Sequence, residues 1–445
     1  MNQIDLNRTW KFEGKKVHWS NWEKQLVSRI LERYFDQEAI TLNFPDEQRT
    51  IGRGKPAFKI TPPKLSSLIR IIIDPDYYGC EEYINGNWSC EDQALSDFII
   101  FVSTKSKFNN GFGQKLFSVL AKPIFYLSQS LYQKSSKLKV RHHYNFVDKF
   151  YELVIGQSML YSCAFFKNQN MTLDEAQQYK LETIIKRLEI PKSYNAQILD
   201  IGCGWGATAI KIAEETKATI TGISIAKHQI KYANEWKEKL DKDISDRLNF
   251  QEQDFRNYVM SKEKCFDRIC SVGMLEHVGK LGYSDYFKNI SRLLKNDGIA
   301  LIHSMVTHEP NLPHKWIDKH IFPNGYIPEV AEILSAAAKN GLQPYAVHIH
   351  NGENYIQTLK SWDANLIEKF DSCYSLVEEK LLQDLEPNDE QFDPETLDDL
   401  VKRNLRIWHL YLSSFQTVFH RHIRSNDVCQ FVFKKMTHHD LKNKS

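Results

Sequence analysis

The stretch Gln197–Ala213, QILDIGCGWGATAIKIA, constrains this chain more than any other. It reads as a buried strand carrying Ile198, Leu199 and Ile201, then a turn with Gly202, Gly204 and Gly206 at every second position. A helix follows, with Ile210, Ile212 and Ala213 on its inner side. Glycines let such a turn approach a ligand with no Cβ in the way, and the N–H groups of the helix start face whatever sits there. Asp200 ends the strand and puts a carboxylate toward the same crevice. That charge would repel a pyrophosphate, and the dinucleotide spacing G-x-G-x-x-G is absent. The arrangement suits an amino acid with a free ammonium, as in S-adenosylmethionine. An ordinary glycine-rich strand-to-helix turn is the plain alternative, disfavoured by Asp200 beside three alternating glycines.

The 445 residues suffice for two or three domains, and 42% hydrophobic with 26% charged residues is the composition of a soluble globular protein. A net charge of +2 argues against bulk nucleic-acid binding, so any electrostatic function must come from local clustering. The eight cysteines form no C-x-x-C pair and no regular framework, which fits reduced thiols, a cytosolic setting and no zinc site. The N-terminus lacks a signal-type apolar core, and no run of eighteen apolar residues occurs. The expected location is the cytoplasm, peripheral on the inner face of the membrane.

Residues 1–104 suggest a small α+β domain: a helix from Trp19 to Phe35, then short apolar runs at Ile40–Phe44, Ala57–Ile60 and Leu68–Ile73. The run Tyr77–Trp88 reads as a packed hairpin around Asn85-Gly86. Residues 105–142 form a linker in which Lys105 to Arg141 holds eight Lys or Arg and no acid, interleaved with aromatic and aliphatic residues. Such a segment suits an anionic membrane surface, a solvated helix packed on the protein being the alternative. In 143–445, strands at Gln197–Ile201, Thr219–Ile223, Leu248–Gln251, Phe266–Val272 and Ile299–Ser304 alternate with helices, giving a doubly wound, Rossmann-like α/β sheet. Ligand then belongs at the carboxyl ends of the first strands. A helix at Leu397–Phe419 and a strand at Val428–Phe433 would close the far edge. Residues 378–399, with ten acids against one Lys, read as an exposed insertion.

In order, the chain carries YSCAFF at 161–166, LDEAQQYKLE at 173–182, LDIGCGWG at 199–206 and FDRICSVGMLEHVG at 266–279. IALIHSM at 299–305, WIDKHIFPNGYIP at 316–328 and GENYIQTLKSW at 352–362 follow. Together these resemble the cyclopropane-fatty-acyl-phospholipid synthases, a family that includes the mycolic acid cyclopropane synthases, over about residues 143–435. YINGNWSCEDQ at 83–93 resembles the lipid-binding N-terminal domain of the bacterial phospholipid enzymes. The resemblance implies a class I methyltransferase sheet, S-adenosylmethionine as methyl donor, an unsaturated phospholipid in a membrane as substrate, and a homodimer as the form the family often takes.

Such an enzyme must deliver a methyl cation to an unactivated cis alkene, which deprotonation cannot activate. Proximity in a dry slot has to supply the reactivity, π-faces stabilise the carbocation, and a base removes a proton to close the ring. In the family the base is bound bicarbonate. Carried over, its pocket comprises Cys163, Glu276, His303, Met305 and Tyr355. Cys163 and Met305 would offer backbone groups, His303 and Tyr355 would donate hydrogen bonds, and Glu276 would accept the bicarbonate hydroxyl. For the cofactor, the resemblance implies Asp200, Gly202 and Gly204 at the methionine part, with Tyr161 and Ser162 beside it. Ser224 and Gln229 fall at the ribose, where no acid follows the second strand, and Asp254 and Phe255 at the adenine. Arg256 reads as a surface charge. The alternatives are a methyl-branched lipid product, N-methylation of a small amine, and a membrane-bound cofactor binder without turnover.

Overall fold

The computed structural model describes residues 11–35, 38–105, 148–258, 265–308, 314–384, 393–420 and 425–435, packed as two units. One comprises Met1–Ile124, His314–Ile321 and Leu359–Ile423, and the other Phe125–Pro313, Phe322–Thr358 and Arg424–Ser445. This differs from the contiguous division at 104 and 143, because helices late in the chain pack with the first unit.

That unit has a four-stranded sheet in the order β2-β1-β3-β4, from β1 (Ile40–Asn43), β2 (Gln48–Ile51), β3 (Phe58–Thr61) and β4 (Ser89–Cys90). The opening helix is Asn21–Tyr34. Two apolar stretches are helical, the second where a hairpin was expected. Leu68–Ile73 ends the helix Leu65–Ile73, tertiary context overriding the strand preference of three consecutive isoleucines. Tyr77–Ile84 lies in the helix Pro75–Ile84 rather than a hairpin. The start signal is Asp74-Pro75: the Asp74 carboxylate accepts from the Tyr77 N–H at 3.2 Å, and Pro75 occupies the first turn. Asn85-Gly86 therefore ends a helix, with Gly86 at φ +73°.

The long helix Pro394–Phe419 is capped by Asp393, whose carboxylate accepts from the N–H groups of Glu395 and Thr396 at 3.1 and 3.0 Å. It belongs to this first unit and closes no sheet edge. Its buried His409 bridges two partners of the unit, the Tyr83 hydroxyl at 2.6 Å and the Asp92 carbonyl at 3.1 Å. The acidic stretch 378–399 continues the helix Phe370–Gln383 at one end and begins Pro394–Phe419 at the other, with 385–392 outside the described residues. Residues 106–147, and with them nearly all of the basic linker, also lie outside them. No described helix is long and apolar enough to cross a membrane.

The second unit is a seven-stranded sheet in the order β10-β11-β9-β8-β5-β6-β7. Its strands are β5 (Gln197–Ile201), β6 (Thr219–Ser224), β7 (Leu248–Glu252), β8 (Phe266–Val272), β9 (Leu294–Thr307), β10 (Leu342–His350) and β11 (Asn426–Lys435). All five expected strands are present, and β5 to β9 are parallel. Alternate residues of the central strands feed two apolar clusters, Leu199, Ile201 and Ile302 on one face, and Ile198, Ile220 and Leu301 on the other. Fully burying each such side chain is worth about 1.5–3 kcal/mol. Strand order reverses between β5 and β8, so the crevice lies at the carboxyl end of β5, where the glycine turn is.

The strand expected to close the sheet is instead internal. β11 lies antiparallel between β9 and β10, and β10 forms the edge. β10 escapes a reading by pattern because it carries Pro344 at a register shift and is mostly solvent-facing.

Candidate active site

At the carboxyl ends of β5, β6, β7 and β8 lies a cavity of about 600 Å³. All nine residues expected at the cofactor line it: Tyr161, Ser162, Asp200, Gly202, Gly204, Ser224, Gln229, Asp254 and Phe255. A Cβ on Gly204, at φ +56°, would meet no protein atom within 4 Å, so this stretch of backbone is open to a ligand. Gly202, at φ +78°, lies closer to its surroundings, with a Cβ there coming to 3.0 Å from Met274. The N–H groups of Gly202 and Cys203 are already committed to the Ile223 carbonyl, at 2.9 and 3.1 Å. These two belong to the turn; the helix itself starts at Ala207.

Asp200 is almost fully buried, and its Oδ2 has no hydrogen-bond partner. Burial pushes its carboxyl up to about 7. A buried, unsatisfied carboxylate is a costly feature that a cationic group would relieve, so the donor set fits the ammonium of S-adenosylmethionine. Ser224 and Gln229 are mutually hydrogen-bonded, the Ser224 hydroxyl donating to Gln229 Oε1 at 3.1 Å.

Several cavity residues were not legible beforehand. Arg256 is exposed, as expected of a surface charge, but it also lines the cavity and grips Asp254, with Nε to Oδ1 at 3.1 Å and Nη2 to Oδ2 at 2.8 Å. Its place two residues after Asp254 was the available signal. Trp205, Met274 and His277 also line the cavity, and burial drives His277 down to about 4, so it is neutral at pH 7.

The segment carrying Tyr161 and Ser162 is held from behind by the helix Leu173–Arg187. The Gln177 side-chain amide donates to the carbonyls of Leu160 and Ser162 at 3.1 and 3.0 Å. One turn on, fully buried Lys180 donates from Nζ to Ser162 Oγ at 2.6 Å. Burial lowers Lys180 to about 7. Removing this contact with Lys180→Met is expected to weaken S-adenosylmethionine binding about tenfold, the scale of one hydrogen bond to a charged group, with a smaller effect on kcat. Calorimetric titration of the cofactor against the variant measures this.

Of the second expected group, Cys163, Glu276, His303 and Tyr355 are buried and Met305 is half-buried, and none of the five lines the cavity. Contacts nonetheless tie it together. Glu276 Oε1 accepts from the Met305 N–H at 2.8 Å, so the backbone donor expected to serve an anion is taken by the carboxylate. Glu276 Oε2 is buried without a hydrogen-bond partner, and burial raises the carboxyl. Phe165 stacks on His303 with centroids 5.6 Å apart, and its neighbour Ala164 donates to Thr358 Oγ1 at 3.0 Å. Thr358 and Tyr355 share the helix Glu353–Glu368, whose Asn354 accepts from the Phe166 N–H at 2.8 Å. Cys163 is held as the thiol, burial pushing it up to about 12. His303 is neutral, driven well below the usual histidine range by burial and by the charges of Lys180, His350 and Arg187.

A family model for mycolic acid cyclopropane synthetase matches residues 132–387. The cyclopropane-fatty-acyl-phospholipid synthase of Escherichia coli strain K12 is 30% identical over 368 residues, 81% of this chain and 84% of that protein. A probable fatty acid methyltransferase of Pseudomonas putida is 29% identical over 291 residues, 63% of this chain and 66% of that protein. The solved mycolic acid cyclopropane synthase CmaA1, complexed with SAH and CTAB, is 26% identical with a TM-score of 0.55, covering 67% of this chain and 98% of that one. The sheet is thus that of the class I methyltransferases, with a cavity at the carboxyl ends of its strands. On these grounds the chain belongs to the mycolic acid cyclopropane synthetase family and is an S-adenosylmethionine-dependent methyltransferase of cyclopropane synthase type.

Proposed function

We propose that this enzyme transfers a methylene from S-adenosylmethionine to the cis double bond of unsaturated acyl chains in membrane phospholipids, with bicarbonate as the base. The observation that carries the reading is Glu276: a buried carboxyl with one oxygen tied to the Met305 N–H and the other without a partner, with neutral His303 two residues before Met305 on the same strand. An acceptor and a neutral donor are what the hydroxyl and an oxygen of bicarbonate need. Bicarbonate, when bound, supplies the base for the proton lost at ring closure.

The chain's own residues do the rest. Asp200 pairs with the cofactor ammonium and the glycine turn admits the methionine backbone, fixing where the sulfonium methyl stands. Glu276 accepts and orients, while His303 and Tyr355 donate. Phe165 offers its ring beside His303. The phospholipid reading is supported by the Escherichia coli relative's name and by the basic, aromatic segment 105–142, which suits the anionic inner leaflet.

The test is incubation of the purified protein with labelled S-adenosylmethionine on liposomes of monounsaturated phospholipid, with and without added bicarbonate. The expected product gains the mass of one CH₂, lacks the double bond, and forms faster with bicarbonate. Label appearing only in a soluble amine, or an acyl product that retains a double bond, overturns the reading.

A further inference from the structure

Behind His303 lies a polar chain that the reaction itself does not use. In the sheet, His303 on β9 stands directly opposite Gln430 on β11. The Gln430 side-chain amide lies with Nε2 at 3.2 Å from His303 Nδ1, and its Oε1 meets the guanidinium of Arg187, the last residue of the helix Leu173–Arg187. Arg187 also reaches His350 Nε2, on β10, at 2.9 Å. Phe165 lies between the two histidines, its ring 3.7 Å from that of His350 and 5.6 Å from that of His303.

The donor inventory makes this chain directional. A guanidinium has only donors, so the Gln430 atom facing Arg187 must be the oxygen. The amide nitrogen therefore faces His303, and since that nitrogen has only hydrogens to give, His303 Nδ1 must accept. A neutral imidazole has one N–H, and it is then on Nε2. Gln430 is itself fully buried, so turning its amide over would set two donors against each other at Arg187 with no water to relieve them.

We infer that Arg187 and Gln430 are positioning residues that lock His303 in the Nε2–H tautomer, making it a standing hydrogen-bond donor to the anion. The inference rests on the bicarbonate site proposed above, but the tautomer exists whether or not an anion is bound. Burial and the surrounding cations keep the ring neutral, so the tautomer rather than the charge is the property being set. With the proton on Nδ1, Nε2 would present a lone pair to an anion and repel it.

The tautomer is read directly from nitrogen NMR spectra of the ligand-free protein labelled at histidine, with the His303 signal identified by its loss in His303→Gln. The expected wild-type signal has Nε2 protonated; Nδ1–H overturns the inference. Gln430→Leu keeps the volume and removes the donor. It is expected to give a mixture of tautomers and to raise the half-saturating bicarbonate concentration at least tenfold, with S-adenosylmethionine affinity unchanged. Arg187→Met, which leaves Gln430 in place but free to turn over, should move both readouts in the same direction and serves if the Leu variant does not fold. A pure Nε2–H signal in both variants, or a shifted tautomer with unaltered bicarbonate dependence, sinks the proposal. Wild-type turnover indifferent to bicarbonate, with Nε2–H intact, would instead remove the bicarbonate reading and leave the tautomer lock standing.

Discussion

Glu276→Gln is expected to reduce kcat by about 10²–10⁴, the range lost with a positioned acid–base group, while S-adenosylmethionine binds as before. The amide matches the carboxyl in size, and its oxygen can still accept from the Met305 N–H at 2.8 Å. What changes is the second atom. An unpartnered acceptor becomes an NH₂ group, which cannot take a hydrogen bond from a hydroxyl. Because Glu276 is not among the residues lining the cofactor cavity, affinity for the cofactor should stay within about twofold by calorimetry. Single-turnover rates on monounsaturated phospholipid liposomes then isolate the chemical step. A variant with near wild-type turnover would show that Glu276 plays no part in holding the base.

Asp200→Asn should produce the opposite split, abolishing useful cofactor binding at ordinary concentrations. Removing one partner of a buried charge pair is worth about 2–5 kcal/mol, a dissociation constant raised roughly 30-fold or more. The wild-type protein adds a pH signature. Burial holds ligand-free Asp200 at about 7, whereas the cofactor ammonium requires the carboxylate. Raising the pH from about 6 to 7.5 deprotonates the group, so affinity should rise across that window, with protons released on binding at its lower end. The Asn variant has nothing to titrate there and should lose the slope. Equal slopes in both proteins would take Asp200 out of the ammonium site.

How much of this could be read from residues alone follows from the kind of signal each part carries. Four of the five parallel strands are apolar runs of ordinary length, and the glycine turn with Asp200 is local in sequence, so these were legible to within a residue or two, while β9 extends well beyond the expected Ile299–Ser304 at both ends. Asp200 and the glycines follow from them, because strand ends in such a sheet converge on one crevice, whereas Tyr161, Ser162, Ser224, Gln229, Asp254 and Phe255 were legible only through the family resemblance. Long-range pairing left no such trace. Nothing in Asn426–Lys435 says that it pairs between β9 and β10 instead of at an edge, since a strand buried on both sides looks alike in either place. Lys180 illustrates the same limit: in sequence it is one polar residue of an amphipathic helix, and only the fold buries it against Ser162. The helix Pro75–Ile84 failed differently. Its Asp74-Pro75 start was present in the sequence, but the Asn-Gly pair further on drew the reading toward a hairpin.

The placement of β11 has a consequence for how the molecule comes into being. Gln430 and His303 meet across 127 positions of chain, and β9 has only β8 beside it until β11 is made. During synthesis the parallel core from β5 to β9, with its cofactor crevice, can form while one flank of β9 stays an unpaired edge open to wrong partners. Nascent or shortened chains lacking the last strand would then retain the means to hold S-adenosylmethionine without the partner that aims His303. With the site proposed above, recognition of the methyl donor would be an early acquisition of the growing chain, and chemistry among its last.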